Sequence, residues 1–261
     1  MCPACHSLKT TLLRRKYLVT ALYHCEDCQL MFRVPKDTRE ESHEFYQADY
    51  EQGFTTQLPD RDTIEGYKRC GFVGTAKDYS DYVAVLHAAG LRSGQVVFDF
   101  GCSWGYGSWQ LRKAGFKVYS YEISAPRARY AKESLECEMY PPERLPEKVD
   151  CFFSAHVIEH LPDPCELWRM AKRVLKRDGM FVCFLPNGNL SLENTVKGFH
   201  QRWGQAHPLL LSPECLLLMA QRYGFEPTAY TSPYNLELIA SRQPGPVTGD
   251  EMVVIARLSR E

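Results

Sequence analysis

Three sets of residues in this 261-residue chain have the types and spacing to do chemistry. The first is two C-x-x-C pairs, Cys2/Cys5 in "CPAC" and Cys25/Cys28 in "CEDC", with 19 residues between them. Two such knuckles offer four thiolates to one tetrahedral ion, the spacing of a structural zinc ribbon. A catalytic redox C-x-x-C is the rival reading, but it calls for one motif inside an α/β domain rather than two in a mini-domain. The second set is "FDFGCSWGYGSWQL" (98–111), where Gly101, Gly105 and Gly107 follow Asp99 directly. Glycines there let the backbone turn sharply and approach something closely. The third is His156, Glu159 and His160 at i, i+3, i+4 spacing, with His207 returning in "GQAHPLLLS". Histidine titrates near neutrality and is the natural general base.

These groups need elements to position them. "TLLRRKYLVTALYHC" (11–25) reads as two short strands, too small to fold without a staple. His6 and His24 flank the knuckles and could replace a thiolate, though four already suffice. Residues 36–79 are polar and aromatic and predict short helices. "SDYVAVLHAAG" predicts a helix capped by Ser80 and closed by Gly90. Strand and helix then alternate. Strands are expected at 96–100, 117–122, 149–155 and 180–186, and in "FEPTAY" and "EMVVIARL". Helices are expected at 105–114, from Ser124 with Pro126 in the first turn, from Asp163 with Pro164 behind it, and at 212–224. Such alternation implies a mostly parallel sheet with helices on both faces. The stripe "LLLMA" (216–220) reads as core.

In that architecture the first strand-to-helix turn binds ligand. The dinucleotide fingerprint needs glycine at i, i+2 and i+5, and from Gly101 those positions are Gly101, Ser103 and Tyr106. The fingerprint fails. Glu122, 21 positions after Gly101, ends the second strand where a carboxylate suits the hydroxyls of a ribose. Asp99 beside the loop disfavours phosphate and suits a cationic ligand. A positively charged nucleoside without phosphate fits better than NAD.

"DFGCSWGYGSWQL" with Glu122 resembles motif I and its successor in class I S-adenosylmethionine-dependent methyltransferases. "HVIEHLPDP" (156–164) and "VLKRDGMFVCFLPN" (174–187) resemble the HVLEHL-type group of that superfamily. "CPAC…YHCEDCQLMFRVP" with "FYQADY" (45–50) resembles the zinc-binding extension of bacterial members acting in glycan and natural-product biosynthesis. The resemblance implies a Rossmann-like α/β fold with a seven-stranded, mostly parallel sheet behind a small N-terminal zinc ribbon. It divides the chain into a ribbon (1–35), a helical linker or lid (36–90) and a methyltransferase domain (91–261). It implies S-adenosylmethionine as cofactor and Zn²⁺ as structural ion. Asp99, Gly101, Cys102, Ser103, Gly105 and Gly107 would hold the cofactor, with Glu122 and Ile123, Glu143 and Ala155 around its nucleoside. Two positions depart from the pattern: Ser103 replaces a motif-I glycine, and Pro141 stands where an acid often recognises adenine, leaving Glu143 nearby.

In that fold the end of the fourth strand faces the transferable methyl, which makes His156 the expected base, with Glu159, His160 and His207 beside it. Small-RNA 2′-O-methyltransferases and polyprenyl-catechol O-methyltransferases bind a divalent ion with E-x-x-E-H motifs; here His156 stands in place of the first Glu. The segment 189–212, with His200, Arg202 and Trp203, reads as a substrate lid.

Composition narrows the acceptor. Lys plus Arg is 31 against 32 Asp plus Glu, so no global basic field favours nucleic acid. Residues 1–36 carry a net +4 that includes "RRK" (14–16), which keeps a ribosomal-RNA methyltransferase as the alternative to a small-molecule or glycan O-methyltransferase. A cofactor-binding interaction protein that has lost activity is a third reading, opposed by the intact Asp99, Glu122 and His156. The seven remaining cysteines form no framework and no apolar segment opens the chain, so a cytoplasmic protein without membrane insertion is expected.

Overall fold

The computed structural model describes residues 1–16, 18–49, 57–141, 144–204 and 207–259. The chain opens with β1 (Thr10–Lys16), β2 (Thr20–Cys25) and β3 (Met31–Val34), followed by α1 (Arg39–Glu44), α2 (Arg61–Arg69) and α3 (Ser80–Ala88). Next come β4 (Val96–Phe100), α4 (Tyr106–Lys113), β5 (Lys117–Tyr121), α5 (Ala125–Leu135) and β6 (Glu138–Met139). Then follow β7 (Val149–Ala155), α6 (Cys165–Val174) and β8 (Leu175–Pro186). The chain ends in β9 (Leu209–Leu210), α7 (Pro213–Arg222), β10 (Phe225–Thr231), α8 (Leu236–Ser241) and β11 (Glu251–Leu258).

Seven strands form one sheet in the order β10-β11-β8-β7-β4-β5-β6. Every pairing from β8 to β6 is parallel, and β11 runs antiparallel to both β8 and β10. The expected Rossmann-like α/β sheet is therefore present. Strand residues alternate between two buried faces. Phe98, Phe152 and Phe181 pack with Trp168 of α6 and Leu216 of α7. Val97, Phe153 and Val182 pack with Leu86 of α3 and Ile239 of α8. The chain winds outward from β4 through β5 to β6, then returns to β7 on the other side of β4. This reversal opens a crevice at the carboxyl ends of β4 and β7, where ligands bind in open α/β sheets.

The hairpin of the first 35 residues does not close on itself. Its sheet runs β1-β2-β3-β9, so residues 209–210 supply the fourth strand. One face puts Cys2, Cys28, Leu30 and Phe32 into the same buried cluster as Trp168, Leu211 and Cys215. The other packs Leu22 and Met31 on Phe199 and Trp203 of the 189–212 segment. A hairpin too small for a core of its own has borrowed two neighbours.

Several element ends differ from expectation for local reasons. Ser80 lies inside the first turn of α3 and donates to Asp78, with Tyr79 as the boundary residue. Ser124 is the boundary residue of α5 but makes no side-chain cap. Asp163 does accept from the Cys165 amide at 2.9 Å, and Ser212 accepts from Cys215 at 3.1 Å. β8 begins five residues early, beyond a register shift opposite β7. β3, β6, β9 and α8 carry no signal the sequence reading used. No helix among the described residues is long and apolar enough to cross a membrane.

Candidate active site

The loop after β4 is stapled to β5, because the amides of Gly101 and Cys102 both donate to the Tyr121 carbonyl at 2.8 and 2.9 Å. Gly101 and Ser103 have positive φ, +83° and +52°. A Cβ on Gly101 would stand 2.4 Å from Val157 Cγ2. One on Gly105 would stand 2.7 Å from Cys137 Sγ, and one on Gly107 2.5 Å from Tyr79 Cε1. Gly105 and Gly107 thus admit packing neighbours beneath the loop, while Gly101, Ser103 and Tyr106 border the cleft.

Glu122, just past β5, accepts from the Ser103 amide at 2.8 Å through Oε2 and from the Ser124 amide at 2.9 Å through Oε1. Burial raises its pKa, and the amides oppose that rise. Each oxygen keeps a lone pair free of those bonds, and the residue lines the cleft beside Ile123 and Arg127. Arg127 Nη1 donates to Ser103 Oγ at 2.8 Å, so the serine that replaces a glycine gains a partner. Asp99 lies beneath the loop. It is buried, accepts from Ser108 Oγ at 2.5 Å, and Ser108 also meets Ser120 at 2.8 Å. Burial drives its pKa up to about 7. Cys102 is likewise buried. Ala155 lines the cleft, and Glu143 lies outside the described residues.

His156 follows β7 with φ +56°, and its amide donates to Phe184 at 2.8 Å. That backbone turn points the imidazole, 43% exposed, into the cleft. Its Nε2 stands 3.1 Å from Glu251 Oε2 and 3.1 Å from the Tyr82 hydroxyl, and its Nδ1 3.6 Å from Glu159 Oε1. Tyr82 donates to Glu251 Oε2 at 2.9 Å and Tyr234 to Oε1 at 2.7 Å. Burial works against the charged imidazole, but Glu159 and Glu251 outweigh it and raise the His156 pKa to about 10. Tyr82, Tyr234 and Glu251 escaped the sequence reading. The one signal was an acid opening the largely apolar "EMVVIARL".

Behind His156 a second cluster gathers. Glu159 is 4% exposed, and neither carboxylate oxygen accepts a hydrogen bond from the described residues. His160 Nε2 is 3.9 Å from it, and the His160 and His207 rings meet edge-on at 4.5 Å. His207 Nδ1 is 2.8 Å from the Arg202 carbonyl, which accepts only, so Nδ1 carries the proton and Nε2 keeps a lone pair in the neutral ring. Donor atoms of Glu159, His160 and His207 all lie within 4.8 Å of one another. The four predicted residues of this end are therefore brought together; His156, His160 and His207 line the same cleft as Gly101, about 1840 Å³, with Glu159 buried behind them.

At the hairpin, the Sγ atoms of Cys2, Cys5, Cys25 and Cys28 lie within 4.8 Å of one another. Cys2–Cys28 is 3.6 Å and Cys5–Cys25 3.4 Å. A tetrahedral zinc with bonds of about 2.3 Å spaces its sulfurs roughly 3.8 Å apart, so the thiols are arranged closely enough for it. His24 pairs instead with Gln29 at 3.0 Å.

Residues 75–230 match a family model described as a methyltransferase domain. No match to a curated protein sequence is found. Among solved structures, magnesium protoporphyrin IX methyltransferase from Synechocystis PCC 6803 with bound SAH is similar with a TM-score of 0.57 and 15% identity, over 85% of this chain and all of that one. An S-adenosylmethionine-dependent methyltransferase from Clostridium acetobutylicum ATCC 824 gives 0.54 and 10%, over 77% of this chain and 99% of that one. A TehB-like SAM-dependent methyltransferase from Corynebacterium glutamicum ATCC 13032 gives 0.52 and 20%, over 77% and 100%. At these identities the likeness is one of fold.

Proposed function

The chain belongs to the methyltransferase-domain family, and from that premise we propose that it methylates a hydroxyl of a small-molecule or glycan acceptor, using S-adenosylmethionine. The observation that carries the cofactor is Glu122. Two backbone amides hold its carboxylate on the cleft wall, and its spare lone pairs suit the paired hydroxyls of a ribose. Gly101, where a side chain would collide with Val157, keeps the loop against that wall. Bound there, S-adenosylmethionine supplies an electrophilic methyl group on a sulfonium. Asp99 braces the loop from below through Ser108.

His156 is the proposed base. Because Glu159 and Glu251 raise its pKa to about 10, the imidazole is mostly charged at neutral pH. Its minor neutral form takes the hydroxyl proton, so the rate should climb as pH rises toward 10, and the two carboxylates stabilise the imidazolium that results. Tyr82 and Tyr234 fix Glu251 for that task. Cys2, Cys5, Cys25 and Cys28 would hold one structural zinc, as in the zinc-bearing HVLEHL-type members the sequence resembles. The buried Glu159 carboxylate, which faces only the imidazoles of His156 and His160 at 3.6 and 3.9 Å, favours a second reading of how the proton leaves. Glu159, His160 and His207 would hold a divalent cation whose contribution is to acidify the acceptor; turnover abolished by chelation selects this reading over the histidine base.

Titration calorimetry with S-adenosylhomocysteine tests the cofactor assignment. Binding should be in the micromolar range, and Glu122→Ala should weaken it by about 1.5–3 kcal/mol, the scale of hydrogen bonds to a charged group. Tight NADH binding with no response to S-adenosylhomocysteine overturns the proposal.

A further inference from the structure

One end of the cleft is lined by cations drawn from two distant parts of the chain. Lys16, the last residue of β1, reaches the 189–212 segment. There its Nζ donates to the Trp203 carbonyl and lies 4.2 Å from the centre of the Trp203 ring. Neither partner carries a formal charge. Among the described residues no carboxylate lies within ion-pair distance of Lys16, and burial lowers its pKa. The acids nearby are engaged elsewhere. Glu193 is taken by Arg14 at 2.6 Å and His200 at 2.5 Å, and Asp250 by Arg202 at 3.3 Å. Lys197, exposed on the same wall, also has no carboxylate partner among the described residues. Lys16, Lys197 and Arg202 all line the cleft, on the wall that continues to His207.

Holding the half-buried Lys16 ammonium against Trp203 without an acid to match it is unfavourable unless an anion is bound, while Lys197 is exposed and Arg202 already faces Asp250. A ligand that brings negative charge to this end removes the cost. We propose that this end is an anion-binding subsite in which Lys16, with Lys197 and Arg202, receives a phosphate or carboxylate group of the methyl acceptor. The word acceptor rests on the methyltransferase reading above; the binding of an anion does not. The subsite also gives the cysteine hairpin a task. Lys16 is placed by its pairing with Thr20 and by the β3–β9 contact that docks the hairpin on the core. The hairpin thereby contributes a side chain to a cleft whose other walls come from α1, the strand ends of the large sheet and the 189–212 segment.

The shared chemistry admits two sources, a diphosphate such as that of a nucleotide-sugar and the carboxylate of a hexuronic acid. Inorganic pyrophosphate and free hexuronate are therefore titrated in parallel into the full-length protein at low salt, with S-adenosylhomocysteine as a separate titration. At least one anion should bind, and Lys16→Met, which keeps the stem over Trp203, should weaken it about tenfold or more. Lys9→Met, altering a lysine of the same hairpin that pairs with Asp27, should leave affinity unchanged. Acetylation read by mass spectrometry gives a second measure: the bound anion should shield Lys16 and not Lys9. Preference for pyrophosphate assigns the phosphate source, and preference for hexuronate the carboxylate. Binding of neither, or equal affinity in Lys16→Met and the wild type, overturns the subsite. Anion binding that depends on Lys16 in a protein that ignores S-adenosylhomocysteine would keep the subsite and sink the methyltransferase reading instead.

Discussion

The cysteine hairpin and the cluster at the end of β7 both gather groups that bind or move charge, yet the chain assembles them by opposite means. The four thiols come from two tight turns, and the widest contact, Cys2 to Cys28, spans 26 residues. His156 meets Tyr82 across 74 residues and Glu251 across 95. In the hairpin, local turn geometry sets which atoms converge. At the strand end, convergence waits on the order of strands in the sheet, because Glu251 stands beside His156 only once β11 has paired with β8 and β8 with β7. A ligand set of the first kind is legible from spacing. One of the second kind shows only its nearest members.

The comparison breaks most sharply on metal. Protein purified without added zinc should contain close to one equivalent, and apparent binding energies for such four-ligand sites run about 10–16 kcal/mol. Cys25→Ser should lose the metal and leave the amides of β1–β3 open to hydrogen exchange, while S-adenosylhomocysteine affinity stays within a few-fold. Because Leu22 and Met31 pack on Trp203, exchange should also rise in residues 199–204. A metal-free protein with fully protected β1–β3 would remove the hairpin side of the contrast.

At the strand end the expected loss is of rate rather than structure. His156→Ala should lower methyl transfer by ~10²–10⁴, the usual worth of a positioned base, with cofactor affinity within a few-fold. The acceptor is whichever member of a nucleotide-sugar, oligosaccharide and RNA panel turns over. Glu251→Gln should shift the pH–rate profile to lower pH, since it removes a charge that holds the His156 pKa up, and should cost less rate than His156→Ala. Near-normal turnover in both variants, with no effect of chelation, would leave alignment alone as the source of catalysis.

The smallest effect belongs to Asp99, and it is a gain. Its carboxyl titrates near 3.9 in an unfolded chain and is pushed up to about 7 in the fold by burial. The folded state therefore binds more protons between those values, and stability from this group is full below pH 4 and lost as pH rises toward 7. Asp99→Asn should remove that slope. Above pH 7 it should raise stability by on the order of 1 kcal/mol, after the weakened bond from Ser108 is set against the desolvation it relieves. Melting temperatures of the two proteins from pH 5 to 8 measure this; a difference that does not change with pH contradicts it.

Much of this site could be read from the sequence where neighbours along the chain are neighbours in space. Gly101, Ser103 and Glu122 lie at adjacent strand ends, and the spacing that paired the loop with Glu122 in the sequence is matched by the Ser103 amide donating to that carboxylate. Asp99 shows the limit. Its type and position marked it as a ligand of the cofactor, but strand residues alternate faces, and only the packed sheet reveals that its carboxylate turns to Ser108 beneath the loop. Gly105 and Gly107 are expected from the sequence to hold the cofactor; a side chain at either would meet Cys137 or Tyr79, a packing constraint that no sequence spacing records. β9 and its pairing with β3 had no local signal, because two residues hold no periodicity.

By itself the sequence determined the longer elements of the large sheet and their hydrophobic faces, the two cysteine knuckles, the loop conformation that glycine permits, and the histidines near the end of β7. These follow from backbone sterics and side-chain periodicity, which act over a few residues. The tertiary structure alone decided that Tyr82, Tyr234 and Glu251 surround His156, that Glu159 is buried beside His156 and His160, and that Lys16 reaches Trp203. Those contacts join residues far apart in the chain, and their formation is driven by burial of the two faces of the sheet. Burial depends on composition and face rather than on which polar partner comes to lie opposite, so no local pattern records the pairing.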